Sequence, residues 1–183
     1  MRKSRLEAAQ TREAIVAAAA DLIQRTGIAE ASLADMMAAA GLTHGGFYRH
    51  FRNKEHLISE AVSAAGEKAI ATIGRHIAKG GLNAVVDGYL SKSHRDSPTP
   101  ICPFAALGSE MARSGKETKA AATELLEKVF ATLAGDAPDR TEARSAAIVV
   151  LSTMIGAMTL ARVVADNDLS LEILDRAKNH LRR

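Results

Sequence analysis

Residues 41–57 read GLTHGGFYRHFRNKEHL and set cationic, hydrogen-bonding and aromatic side chains beside two adjacent glycines. That combination suits contact with a nucleic acid. Arg is the side chain best shaped to read the O6/N7 edge of guanine, which points to Arg49, and His44 can also reach a base edge. Tyr48, His50 and Lys54 can hydrogen-bond phosphates, which fixes register without reading sequence. Gly45 and Gly46 carry no side chain and let the backbone come close to a duplex. Ser32 and Lys54 stand at expected helix N-termini, where N–H groups and the helix dipole favour a phosphate. Arg49, Arg52 and Lys54 form a basic cluster with no acid before Glu55, and Arg2, Lys3 and Arg5 form another on an N-terminal arm. On charge alone such clusters are solvated faces, and GGFY alone is a poor helix start. The reading therefore depends on what holds these residues in place.

The elements around them are helical. TREAIVAAAADLIQRTG puts Ala14, Ile15, Ala18, Leu22 and Ile23 on one face, with Gly27 as a left-handed cap. Ser32 is a good N-cap for LADMMAAA, which ends at Gly41. Thr43 can cap a third helix that begins at once, so two short helices flank a tight glycine turn: a helix-turn-helix. In that third helix Phe47 and Phe51 are four apart, share a face and anchor it, while Gly45 and Arg49 point away. A helix from Asn53 runs to the glycine pair at 80–81, and GLNAVVDGYLSK makes the next. SHRDSPTPICP reads as a loop. FAALGSEMAR, KETKAAATELLEKVFATLA, a long helix from about Arg140 to Ala165, and a last one capped by Ser170 follow. No strand signal or internal repeat is visible.

Residues 11–57 resemble the N-terminal domain of the TetR family of bacterial transcriptional regulators, through the glycine turn and the FYRHFRNKEHL pattern. The resemblance implies an all-α homodimer: a three-helix helix-turn-helix domain, here residues 1–53, and a larger helical ligand-binding and dimerisation domain, here 54–183. It implies a regulator, usually a repressor, that binds a palindromic double-stranded DNA operator and is released by a small-molecule inducer. By position, base contacts fall on His44, Gly45 and Arg49, and phosphate contacts on Ser32, Tyr48, His50 and Lys54. Position 44 is often Lys, Gln or Pro in the family, so His44 leaves the operator open. Residues 89–113 and 156–174 are similar to one branch of the family in which a GCP element opens a central helix. Ile101 replaces the glycine here.

In the long helix, Ala147, Leu151, Met154, Met158, Ala161 and Ala165 repeat at steps of four and three, while Val149, Ser152, Gly156, Thr159 and Val163 populate the other side. A helix apolar nearly all round is buried on more than one side. Periodicity leaves a single-chain core and a partner-facing bundle equally open. The resemblance favours the bundle, with Leu151, Met154, Met158, Leu174 and Leu181 as interface residues. Tyr89, Phe104, Leu107, Met111 and Met154 are candidate ligand-pocket residues, although each such side chain is more often plain core. With no Trp and six aromatics, a wide pocket of stacked rings is not expected.

Cys102 is the single cysteine, which fits a reducing compartment and leaves no internal disulfide. Pro103 places it at a helix N-cap, where the dipole favours a thiolate, and His94 and Arg95 lie upstream to strengthen that field. A redox or electrophile switch at Cys102 is thus the alternative to plain ligand release; a small buried hydrophobe is the bland one. The net charge is only +3. The N-terminus has no apolar h-region, and the longest uncharged run, Ser145 to Ala161, is shorter than the ~20 residues of a membrane span. A cytoplasmic protein is expected. The histidines form no metal pair, and there is no phosphate-cradling loop or nucleophile motif; no cofactor, metal or enzymatic activity is expected.

Overall fold

A computed structural model describes residues 5–182. Among them there are helices and no strands: α1 (Arg5–Thr26), α2 (Leu33–Ala39), a 3₁₀ helix (His44–Arg49), α3 (Lys54–Tyr89), α4 (Lys92–Arg95), α5 (Pro103–Met111), α6 (Lys116–Ala134), α7 (Arg140–Val163) and α8 (Asn167–Leu181). The N-terminal cations Arg2 and Lys3 lie outside the described residues.

Most punctuation follows the sequence. Gly27 and Gly41 take φ of 90° and 70°, the left-handed conformation that ends α1 and leads out of α2. Ser32 and Asp35 close a capping box on α2. Asn53 caps α3 by accepting from the His56 N–H at 2.8 Å. Gly80 and Gly81 leave helical geometry, so α3 is two helices joined by a kink.

Four expectations need correction. The buried face of α1 is Ile15, Ala19, Ala20, Ile23 and Gln24, and Ala14 faces solvent. With so many alanines, apolarity alone does not say which stripe is turned inward. The stretch expected as a loop from Ser93 contains the end of α4, a single turn capped by Ser91. Thr43 stands at the N-cap position of the next element but makes no side-chain capping bond. The last helix starts earlier than expected: Asp166 accepts from the N–H groups of Asp168 and Leu169, while Ser170 lies inside α8 and donates to the Ala161 carbonyl at 2.6 Å.

The layout is two packed groups sharing α3. α3 packs on α1, which in turn carries α2 and through it the 3₁₀ helix, and on α6. Arg12–Glu60 and Lys68–Asp21 join α1 to α3 along their edges. α7 is long and apolar enough to cross a membrane by length and composition, yet one of its faces packs on α5, α6 and α8.

α3 and α6 approach closely at Gly66. A Cβ built there would lie 2.2 Å from Leu125 Cδ1. Leu125 is itself buried, so it cannot swing away into solvent. Gly66→Ala should therefore destabilise the protein by about 1–3 kcal/mol through overpacking, even though Ala favours a helix. Denaturant unfolding checks this; equal or higher stability would show that the two helices can part.

Candidate nucleic-acid interface and ligand cavity

The GGFY stretch is a short 3₁₀ helix where an α-helix was expected. Two glycines weaken the helix, and only six residues separate Thr43 from His50; 3₁₀ geometry suits such short pieces. At its end the Phe51 N–H reaches the Phe47 carbonyl at 3.1 Å, closing one wider turn. Phe47 and Phe51 are buried with centroids 5.6 Å apart, and the Arg12 guanidinium sits 4.8 Å over the Phe51 ring. This cluster, with Met36 and Met37 of α2, is the floor that holds the stretch rigid.

Above the floor, Thr43, His44, Gly45, Tyr48 and Arg49 are exposed, Tyr48 to 70%. Neither Gly45 nor Gly46 has a positive φ. A Cβ at Gly45 would meet nothing within 4 Å, and at Gly46 only Met37 Cε at 3.9 Å. The fold itself does not demand either glycine. His50 is half-buried, and Lys54 Nζ, at the start of α3, lies 3.4 Å from the Ile28 carbonyl. Ser32 is exposed, but its hydroxyl is engaged with the Asp35 carboxylate at 2.5 Å. Arg52 leaves the basic cluster: it pairs with Glu117 of α6 at 3.0 Å. Glu55 reinforces that joint by accepting from the Glu117 N–H at 3.2 Å.

The second feature is an apolar cavity between α3, α5, α6 and α7. Its empty space is about 610 Å³ including the mouth, of which only about 60 Å³ is clear of the walls. Tyr89, Phe104 and Met154 line it. Leu107 and Met111, expected there, are not in its lining; they are buried core on α5. Helical spacing made them equivalent to Phe104, and only the roll of α5 separates them. His94 also lines the cavity, and sequence reasoning used it only as a charge near Cys102.

Cys102 is the N-cap residue of α5, as the Pro103 argument requires, but the thiolate expectation does not survive burial. Desolvation pushes the thiol's pKa up, against hydrogen bonds that favour the thiolate. The expected cationic field is weak as well. Burial pushes His94 down, and Arg95 is held by Asp96 at 2.7 Å.

The dimer stripe needs the same kind of revision. Leu151, Met154, Met158 and Leu174 are buried inside the protomer, and Leu181 is half-buried against the same core. The steps of four and three identified the helix's own core seam. The opposite side of α7 is the free one: Val149 (56% exposed), Leu160 (57%) and Val163 (75%), with Ser152 and Gly156 between them.

The two features are physically linked by α5. Glu110 at its C-terminal end accepts from the Ala29 N–H at 2.8 Å, in the α1–α2 connection. Just before its N-terminus, the Pro100 carbonyl accepts from the buried Gln24 of α1 at 2.6 Å.

Comparison with known proteins agrees with this arrangement. Residues 15–61 match the family of bacterial regulatory proteins described as the tetR family. The HTH-type transcriptional regulator AcrR of Shigella flexneri is 41% identical over 59 residues, covering 32% of this chain and 27% of AcrR. The HTH-type transcriptional repressor BepR of Brucella suis is 35% identical over 65 residues, 36% of this chain and 31% of BepR. These matches thus span about a third or less of the curated relatives. The likeness of fold extends much further. The crystal structure of a TetR transcriptional regulator from Chloroflexus aurantiacus superposes with a TM-score of 0.75 at 28% identity, covering 96% of this chain and 94% of that one. Residues 15–61 therefore match the tetR family of bacterial regulatory proteins in sequence, and the chain as a whole is similar in fold to a TetR transcriptional regulator.

Proposed function

We propose that the protein is a cytoplasmic, homodimeric transcriptional regulator that binds a palindromic DNA operator and is released by a small molecule. The observation that carries the DNA-binding part is the pair Gly45–Gly46. Nothing inside the chain needs the missing side chains, and exposed Arg49, His44 and Tyr48 surround them on a rigid aromatic floor. A close-approaching external partner accounts for such a site. His44, Gly45 and Arg49 are the base-contacting positions; Tyr48, His50 and Lys54 are the phosphate contacts. Ser32 can join them only by sharing its hydroxyl with Asp35. Residues 1–53 form the DNA-binding unit, with 54–183 the ligand-binding and dimerisation unit.

The exposed stripe of α7 is the proposed partner-facing surface. Small residues at Ser152 and Gly156 let two helices approach, and Val149, Leu160 and Val163 supply apolar area. In the ligand-responsive part, a small molecule entering the cavity shifts α5, whose two ends grip the DNA-binding unit through Gln24 and Glu110. The Cys102 alternative has no such support, because its thiol is buried and harder to ionise than a free one.

Footprinting of selected genomic sites should show a dyad, with half-sites about one turn (about 34–36 Å) apart or modestly further. Arg49→Ala should relax preference at one base step, at a cost of about 1–3 kcal/mol. Lys54→Ala should weaken all sequences alike and lower the salt slope by about one unit. Gly45→Ala should leave stability unchanged or slightly raised while operator affinity falls. Affinity unchanged in Gly45→Ala would remove close backbone approach from the account.

Leu160→Asp should yield a folded protein that dissociates to monomers by light scattering and loses operator binding. Met158→Asp, by contrast, buries a carboxylate without a partner and should unfold the protomer. A Leu160→Asp dimer as stable as the wild type would place the interface elsewhere. Glu110→Ala should leave inducer affinity within a few-fold of wild type but weaken the inducer's effect on DNA affinity, measured by titrating both ligands. Undiminished coupling would exclude this joint.

A further inference from the structure

We infer that the cavity recognises the hydroxyl group of a neutral, mostly apolar small molecule, with His94 as hydrogen-bond acceptor and Tyr89 as donor. This deepens the ligand-responsive reading and rests on it. The tautomer of His94 follows from one contact. Its Nδ1 lies 2.7 Å from the Tyr89 carbonyl oxygen, which can only accept, so Nδ1 carries the proton and donates. The ring is 5% exposed, and burial pushes its pKa down, so it is neutral and Nε2 holds a lone pair. That Nε2 is buried and makes no hydrogen bond to the described residues.

The Tyr89 hydroxyl is in the same position. It is buried, and beside it among the described residues is the Cys102 thiol, a weak acceptor that it approaches without good hydrogen-bond geometry. Burial holds the phenol well above its ordinary range, so it keeps its proton to donate. The two rings meet edge to face with centroids 4.6 Å apart, and both line the cavity. Buried polar groups are nearly always paired, and two orphans side by side on one cavity wall point to a polar group that enters from outside. A hydroxyl answers both: its O–H donates to Nε2 and its lone pair accepts from Tyr89.

Charge is disfavoured on both signs. No Asp, Glu, Lys or Arg lines the cavity, so an ionic ligand would lose hydration without gaining a counter-ion. The Nε2 lone pair opposes a carboxylate. Arg162 stands outside the lining, and its guanidinium is engaged with the His94 carbonyl at 2.8 Å and the Arg95 carbonyl at 3.2 Å, so it is not a free counter-ion for an anion. Thr72, His76 and Cys102 add further polar atoms to the wall, while Val85, Phe104, Leu125, Leu151 and Met154 suit a hydrocarbon body. The clear space of about 60 Å³ is smaller than the roughly 150 Å³ of an apolar cavity that takes one benzene, so even a single-ring ligand enters only as the walls yield.

The test is calorimetric titration of the full chain with four single-ring probes: toluene, 4-methylphenol, benzoate and benzylammonium. 4-Methylphenol should bind on the order of tenfold or more tightly than toluene, because toluene leaves both orphans unpaired. The two ions should bind more weakly than 4-methylphenol. Tyr89→Phe, which keeps the ring, and His94→Leu should each narrow the gap between 4-methylphenol and toluene while toluene affinity stays within a few-fold. If His94→Leu does not fold, Tyr89→Phe decides the matter alone. Equal affinity for toluene and 4-methylphenol in the wild type, tighter binding of benzoate, or a gap that survives Tyr89→Phe would each overturn the assignment while leaving the cavity as a ligand site. Failure of every probe, with operator binding intact, would overturn the cavity itself as the ligand site and leave only the DNA-binding reading.

Discussion

The contact between Gly66 and Leu125 is the constraint on which the rest of the molecule depends. It sets how close α3 and α6 lie, because a single added Cβ would overlap a buried leucine. α3 starts beside the helix-turn-helix, with Asn53 as its cap, and ends at the cavity with Tyr89. Leu125 forms part of the cavity wall. The spacing of two helices therefore fixes both the seat of the helix-turn-helix and the width of the space where a ligand can go.

Rigidity and openness are divided between the two ends of the molecule. At the DNA-binding end, stacked Phe47 and Phe51 under an Arg12 guanidinium hold a 3₁₀ segment that its own glycines would leave weak. At the other end, the cavity keeps buried polar atoms, His94 Nε2 and the Tyr89 hydroxyl, without a well-formed hydrogen bond among the described residues. The first arrangement stores stability beneath a surface; the second leaves stability to be gained on binding. α5 joins them: the loop before it is tied to α1 by the bond from Gln24 to the Pro100 carbonyl, and its C-terminal end to the α1–α2 connection by the bond from the Ala29 N–H to Glu110.

Several site residues could be placed from the chain alone, and the misplacements share one cause. The exposure of His44, Tyr48 and Arg49 was legible because Phe47 and Phe51, four apart, had to turn inward and leave the other side of the short element outward. Leu107 and Met111 were put in the cavity, and Leu151, Met154 and Met158 on an outer face, because helical spacing groups residues by stripe without naming what each stripe meets. α7 carries two apolar stripes, and the better-packed one turned inward. Cys102 fails differently. Its position at a helix N-cap was legible from Pro103, but burial outweighs the dipole and raises the thiol's pKa.

By itself the amino-acid order determined what local physics can settle. Gly27 and Gly41 end or follow helices because a left-handed residue is needed there, Ser32 and Asn53 start helices because their side chains reach free N–H groups, and the glycine pair at 80–81 breaks a long helix. These signals act within about one turn and carry the helix-turn-helix. Tertiary structure alone decided which apolar face of α7 is free, that Arg52 turns to Glu117, that α5 ties the cavity to the α1–α2 region, and that His94 and Tyr89 share one wall. Those facts depend on contacts between residues tens of positions apart, and on burial, which is a property of the packed whole and is written in no single segment.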